Sequence, residues 1–168
     1  FNGNGYSDEW VAEAERRGLP NLHSMVDAIP TLTTKKSIEM FEKFGVFTKE
    51  ELESRVEVLF EQYSQTINIE ALATLDIAKK QIVPAVMKYQ RKLANGVAEL
   101  KAVGIDSSVQ ETLLKDITAN LNDMFAAIAT LEADVPKAQS LESEAQARCY
   151  HDTIFADMNA VREPRSEE

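Results

Sequence analysis

One cysteine and two histidines are all that 168 residues carry of the usual soft metal ligands, and glycine and proline together supply only 11 residues. Each scarcity excludes something. A lone Cys149 forms neither an internal disulfide framework nor a cysteine-based zinc cluster. A di-iron bundle needs Glu-x-x-His on two helices, but Pro20 and Arg148 stand three residues before His23 and His151. Glycine and proline lie at about half their average usage of ~7% and ~5%, too few breakers for an all-β or loop-rich protein. No apolar run approaches the ~20 residues that span a bilayer; the longest are 82–87 and 124–129, and no signal peptide is visible. Positive charge is also short. Against 28 Asp+Glu stand 18 Lys+Arg, a net charge of −10, the wrong sign for nucleic acid or an anionic membrane. What remains is a chain of one domain's length with 44% apolar residues, enough to bury a core. It reads as a cytosolic, acidic, mostly helical domain.

Helix signals follow in order. Phe1-Asn2-Gly3-Asn4-Gly5-Tyr6 reads as a turn, and Ser7 as an N-cap with Asp8 and Glu9 at the positive end of the dipole. Trp10, Val11 and Ala14 share a face, and Gly18 closes the helix in the left-handed region. Between Leu19-Pro20 and Ile29-Pro30 there is room for one short helical turn. Thr34 caps a second helix carrying Ile38, Met40, Phe41 and Phe44, which stops at Gly45. Thr48-Lys49-Glu50-Glu51 is a capping box. The helix it opens keeps apolar spacing through Leu52, Val56, Leu59, Tyr63, Ile67, Leu75, Ile82, Val86, Tyr89, Leu93, Val97 and Leu100, with a gap near Ala71. Pro84 predicts a kink or break near residues 80–83. Residues 48–83 alone would extend ~54 Å at ~1.5 Å per residue, so part of this helix projects or lies on a neighbour. Ser108-Val109-Gln110-Glu111 is a second capping-box match. It opens a seam at Val109, Leu113, Ile117, Leu121, Met124, Ile128, Leu131 and Val135 that Pro136 should stop. A last helix is expected over residues 138–161, with Leu141, Ala145, Ile154, Phe155, Met158 and Val161 on its apolar face. The architecture expected is all-α: a lead-in of short helices over 1–47, then an antiparallel bundle of long helices over 48–168, one kinked at Pro84, together one domain. The polar end, 162–168, should fray.

Candidate chemistry is sparse. The glycines before Ser7 resemble half a phosphate loop, but Asp8 stands where the dinucleotide fingerprint needs its third glycine, and two first-turn carboxylates repel an anion. Cys149 and His151 are two apart on a helix and point to different faces, so they make no nucleophile pair. Arg148-Cys149-Tyr150-His151-Asp152 is the densest run of functional side chains, with Arg148 and Asp152 spaced to pair on the surface. Ile67, Asn68, Ile69 and Glu70 sit where apolar residues cover more than one face of the long helix. Residues 63–75 therefore read as packed on two sides, the second against another domain. The candidate interface is Ile67, Asn68, Ile69, Glu70, Arg148, His151 and Asp152.

The same stretches carry a family resemblance. Phe1-Asn2-Gly3-Asn4-Gly5-Tyr6-Ser7-Asp8-Glu9-Trp10, Thr66-Ile67-Asn68-Ile69-Glu70-Ala71 and Tyr150-His151-Asp152-Thr153-Ile154-Phe155-Ala156-Asp157-Met158-Asn159 resemble the C-terminal part of type III glutamine synthetase, in the same order across nearly the whole chain. The resemblance implies a cytoplasmic parent that condenses glutamate with ammonia, using ATP and magnesium or manganese, in a large ring-shaped homo-oligomer. The family's catalytic motifs lie upstream of the resembling region, so no catalytic, cofactor-binding or metal-binding residue is carried onto this chain. Its expected partners are the catalytic domain of the same polypeptide and further copies. The chain lacks an initiator Met, and the aromatic-containing tail that follows Arg162-Glu163-Pro164 in the family is missing. Both features read as an excised domain with a structural or assembly role. The alternative is a stand-alone acidic helical-bundle adaptor that binds a partner helix or basic surface.

Overall fold

The computed structural model describes residues 5–165, and every regular element among them is helical. The first four residues of the expected opening turn, and residues 166–168 of the polar end, lie outside the described residues. The chain divides into two compact units, one up to Phe60 and one from Glu61, with the boundary inside a helix.

In the first unit, local capping chemistry sets the elements. Helix α1, Asp8–Arg16, starts at Ser7, whose hydroxyl accepts from the Trp10 N–H, and ends before Gly18 at φ 70°. Arg16 and Arg17 both clamp Glu13, at 2.7 and 2.6 Å, and these hydrogen bonds lower its carboxyl to a pKa of about 2. The short α2, Met25–Ala28, continues as a 3₁₀ turn, Ile29–Thr33, and the two bury Val26 and Ile29. Thr34 caps α3, Lys35–Lys43, and Gly45 closes it at φ 63°. The capping box forms as expected: the Thr48 N–H donates to Glu51 Oε2 at 2.8 Å, and the Glu51 N–H donates to Thr48 Oγ1 at 3.2 Å. It opens α4, Lys49–Ile77, on which Leu52 and Phe60 are fully buried.

In the second unit, the helix does not break before Pro84. A π turn, Ala78–Ile82, joins α4 to α5, Val83–Ala102, giving a continuous helical stretch of 54 residues. The Val83 N–H bonds back to the Ala78 carbonyl, one residue further than an α-helix allows. The widened turn carries the chain past the missing proline N–H. Burial of Ala78 and Val83 on either side of the turn holds it in the helix.

Helix α6, Ser108–Gln139, begins one residue earlier than the capping box predicted. Ser107 is the N-cap, Asp106 accepts from the Ser108 N–H, and the Ser107 hydroxyl reaches Glu111 at 2.6 Å instead of capping a backbone group. The Asp106 side chain outcompetes the serine for the orphan amide. The seam also starts later, since Val109 is 76% exposed and Leu113 is exposed. Nor does Pro136 stop the helix. It sits on the solvent side between buried Val135 and Ala138, whose burial carries the helix to Gln139. The last helix therefore starts later than residue 138. It consists of α7, Ser143–Cys149, a second π turn, Tyr150–Ile154, and α8, Phe155–Arg162. Its buried set is Ala147, Tyr150, Ile154, Met158 and Val161, while Leu141, Ala145 and Phe155 are exposed.

Cross-helix pairs give the direction. Asn68 meets Gln139, Lys79 meets Glu132, Gln90 meets Thr118 and Lys101 meets Glu111. Numbers rise on one helix as they fall on the other, so α4–α5 and α6 run antiparallel. Between them and the C-terminal helices lies one core. It holds Ile67, Ala71 and Leu75 of α4, a stripe from Leu121 to Ala138 on α6, and Tyr150, Ile154, Met158 and Val161. The gap in the apolar pattern at Ala71 is filled by the alanine itself, which is completely buried.

One carboxylate sits at the rim of this core. Asp157 of α8 hydrogen-bonds Asp134 of α6, and its Oδ2 is buried without a partner. Burial raises its pKa, the Asp134 charge and hydrogen bond raise it further, and Lys137 opposes them. A carboxyl raised in the folded state stabilises the fold fully below its unfolded pKa, and that contribution is lost as pH rises through the folded value. Thermal unfolding of Asp157→Asn should therefore show a higher melting temperature than wild type at neutral pH. The difference should shrink as the pH is lowered toward ~4, the ordinary aspartate range.

Candidate functional site

The residues singled out in the sequence come together where the middle of α4 faces the π turn of the last helix. Asn68 is the hub. Its Oδ1 accepts from the Tyr150 hydroxyl at 3.0 Å and from Gln139 Nε2 at 3.0 Å. One side-chain oxygen thus ties α4, α6 and the π turn. Tyr150 is among the largest fully buried side chains, so its hydroxyl needs a partner there. Burial raises its pKa, as does the nearby Cys149. Burial also raises Tyr63 on α4, with Asp152 and then Glu70 adding to the effect. This places both carboxylates of the candidate interface near one phenol.

The other candidates separate by face. Ile67 is in the core, whereas Ile69 is 66% exposed and Glu70 is exposed. Leu72 at 48% and Ile77 at 44% continue the open face. On a helix, Ile69 falls opposite the buried line Ile67–Ala71–Leu75, with Leu72 and Ile77 on its two flanks, so this part of α4 carries apolar residues outside its buried side as well. Arg148 does not pair with Asp152. It bonds Glu144, four residues before it, at 2.7 Å, because α7 keeps α-helical spacing on that side. Toward Asp152 the π turn widens the helix and rotates the partner away. Asp152 takes His151 instead, Nδ1 to Oδ1 at 2.7 Å, on the surface. Cys149 is a free, half-buried thiol.

Three residues lie outside the candidate set, Tyr150, Gln139 and Asp157. Tyr150 and Gln139 lie 82 and 71 positions from Asn68, and no local pattern pairs them. Asp157 had a signal: it stands three residues after Ile154 and four before Val161, a core register. Among the described residues, no three His, Cys, Asp or Glu side chains are placed to hold a metal ion. The arrangement can hold three helices in register and present an apolar face. It contains no nucleophile with an adjacent base. Asn68→Ala would leave the buried Tyr150 hydroxyl without its acceptor. A loss of about 1–3 kcal/mol is expected in urea denaturation, with Asn68→Asp, which keeps an acceptor, losing less.

Comparison with known proteins gives the family. Residues 1–101 match the model of the glutamine synthetase C-terminal domain. A glutamine synthetase of Butyrivibrio fibrisolvens is 37% identical over 165 residues, covering 96% of this chain and 24% of that protein. A type-3 glutamine synthetase of Dictyostelium discoideum is 31% identical over 170 residues, with 96% and 23% covered. A glutamine synthetase of Bacteroides fragilis is 28% identical over 170 residues, with 97% and 23% covered. The chain spans about a quarter of the length of the curated relatives it matches. With the family model matching well over half of its residues, the chain belongs to the glutamine synthetase C-terminal domain family.

Proposed function

We propose that this chain is the helical C-terminal domain of a type III glutamine synthetase and that it serves assembly, not chemistry. The parent would be a cytoplasmic enzyme that ligates ammonia to glutamate with ATP and magnesium or manganese, working as a homo-oligomer. The observation that carries the structural part is the two-sided apolar character of α4. One side is buried in the bundle, while Ile69 faces outward at 66% exposure, flanked by the half-exposed Leu72 and Ile77. A helix wet on one side keeps polar residues there. Exposed neighbouring apolar side chains mark a surface that another body covers, and the catalytic domain of the same polypeptide is the body assigned here.

No step of the reaction is assigned to this chain. ATP and metal belong to the part of the parent that it does not span. The helices that are described are also too short or too polar to cross a membrane, in keeping with the proposed cytoplasmic location.

The test is made in the full-length enzyme. Ile69→Ser with Leu72→Ser should leave the unfolding free energy of the isolated chain within about 0.5 kcal/mol of wild type in urea denaturation, as surface substitutions do. The same pair should shift the full-length protein from its high-mass fraction on a sizing column and lower its glutamine-forming activity. Unchanged mass and activity would overturn the reading, as would glutamine formation by the isolated chain.

A further inference from the structure

Two acids face each other where the last helix lies on α6. Asp134 stands between Leu131 and Val135, and Asp157 between Ile154 and Met158, and all four of these neighbours are buried. The two acids are hydrogen-bonded to each other. An ionised carboxylate only accepts, so a bond between two carboxyl groups needs a proton on one of them. The Asp134 side chain is 20% exposed, and Asp157 Oδ2 is buried with no hydrogen-bond partner. Asp157 gains water only if Ile154 and Met158 lift with it. A charge held there loses its hydration without compensation. The cation at hand is Lys137, which meets Asp134 Oδ1 at 2.5 Å and otherwise lies in solvent. It balances one of two negative charges, not both.

We propose that Asp134 and Asp157 hold one proton between them and that this proton latches the last helix to α6. With the proton in place the pair carries one negative charge, and Lys137 balances it. When the proton leaves, two carboxylates are in contact and the buried Oδ2 is charged. The repulsion is relieved most easily at α8, a terminal helix of eight residues, because the stripe of α6 is packed by α4 as well as by the C-terminal helices. α8 then opens locally and water reaches Asp157, while the rest of the core stays closed. The elements packed on α8 are α6, the π turn before it and the 3₁₀ turn Glu163–Arg165 after it. On the π turn, His151 and Asp152 pair with each other at the surface. Glu163 is exposed, and the half-buried Cys149 thiol lies near Lys137. The charges that act on Asp157 are those of Asp134 and Lys137. Burial, then Asp134, holds its carboxyl above the ordinary aspartate range, and Lys137 opposes them. The latch does not rest on the assembly reading, since none of its residues lies on α4.

The experiment is native-state hydrogen exchange of the 168-residue chain across the pH range in which aspartates titrate and up to neutrality, with each rate divided by its intrinsic value. Peptides from 155–162 report the latch, and peptides from 64–75 report the core. In wild type, 155–162 should exchange faster than 64–75 and through an opening that low urea does not change, the mark of a local event. An opening that releases a proton grows about tenfold per pH unit above the ordinary aspartate value of ~3.9, then levels off at the value of the closed pair. Exchange of 155–162 should follow that curve. D157N, neutral at every pH, should keep 155–162 closed without the rise. K137Q should level off at higher pH than wild type, because the cation that favours ionisation is gone; an aspartate that only fills space would not respond in this way. Carboxyl-carbon NMR should show Asp134 and Asp157 titrating together in two steps, one on each side of ~3.9. Exchange of 155–162 only together with 64–75 overturns the latch. So do an equal rise in D157N, a K137Q curve that levels where wild type does, or two aspartates that titrate independently.

Discussion

Everything in the larger unit depends on one stripe of α6 staying buried from Leu121 to Ala138. Both α4 and the C-terminal helices pack on it, so their own apolar faces must stay in phase with it over many turns. An ideal helix does not keep that phase unaided, because 3.6 residues per turn drifts against a repeat of 3.5. On the longest helix the π turn Ala78–Ile82 inserts one residue's worth of rotation and brings Val83 back toward the core after the run through Leu75 and Ala78. The C-terminal helices carry a second π turn, Tyr150–Ile154, and keep their buried row at Ala147, Tyr150, Ile154, Met158 and Val161.

The prolines fit the same logic. In isolation a proline in a helix interior costs about 3 kcal/mol or more. Pro84 and Pro136 both lie inside the long helices, next to fully or nearly buried neighbours. Burying an aliphatic side chain contributes about 1.5–3 kcal/mol. Val83 alone, or Val135 with Ala138, is thus of the size needed to offset the lost backbone bond. Each proline ring points to solvent, where it displaces no packing.

This competition also explains what could be read from the chain. Ser7, Thr34 and Thr48 were legible as caps because a cap is a bond within three residues. Even so, Ser108 lost its capping role to Ser107 and Asp106, since several short polar side chains near one helix start compete on nearly equal terms. The helix end at Pro136 was misread because the opposing force is tertiary, whereas the kink or break expected near residues 80–83 takes the form of the π turn Ala78–Ile82. Of the face expected for the last helix, Ile154, Met158 and Val161 are buried, while Ala145 and Phe155 are exposed and Leu141 stands before the helix begins at Ser143. At the candidate site, the two-sided character of residues 63–75 was visible as Ile67 and Ile69 on opposite sides of Asn68. The role of Asn68 was not, because both of its donors come from helices far along the chain.

A hub of this kind has a consequence for the outer face of α4. Tyr150 and Gln139 both pull on a single oxygen at the point where α4 is apolar on two sides. Neutral hydrogen bonds contribute only about 0.5–1.5 kcal/mol net, but they are directional where apolar packing is not. They therefore decide which rotation of α4 is populated more than how strongly it is held. Turning α4 by about half a turn, an offset of two residues, would bring Ile69, Ala73 and Ile77 to the places of Ile67, Ala71 and Leu75 at little hydrophobic cost, since the two rows are alike. The Asn68 oxygen, placed between the two isoleucines, makes the two registers unequal. The exposure of Ile69 and Leu72 is thus an outcome specified by a buried polar contact, and the surface they form is as well defined as the core behind it.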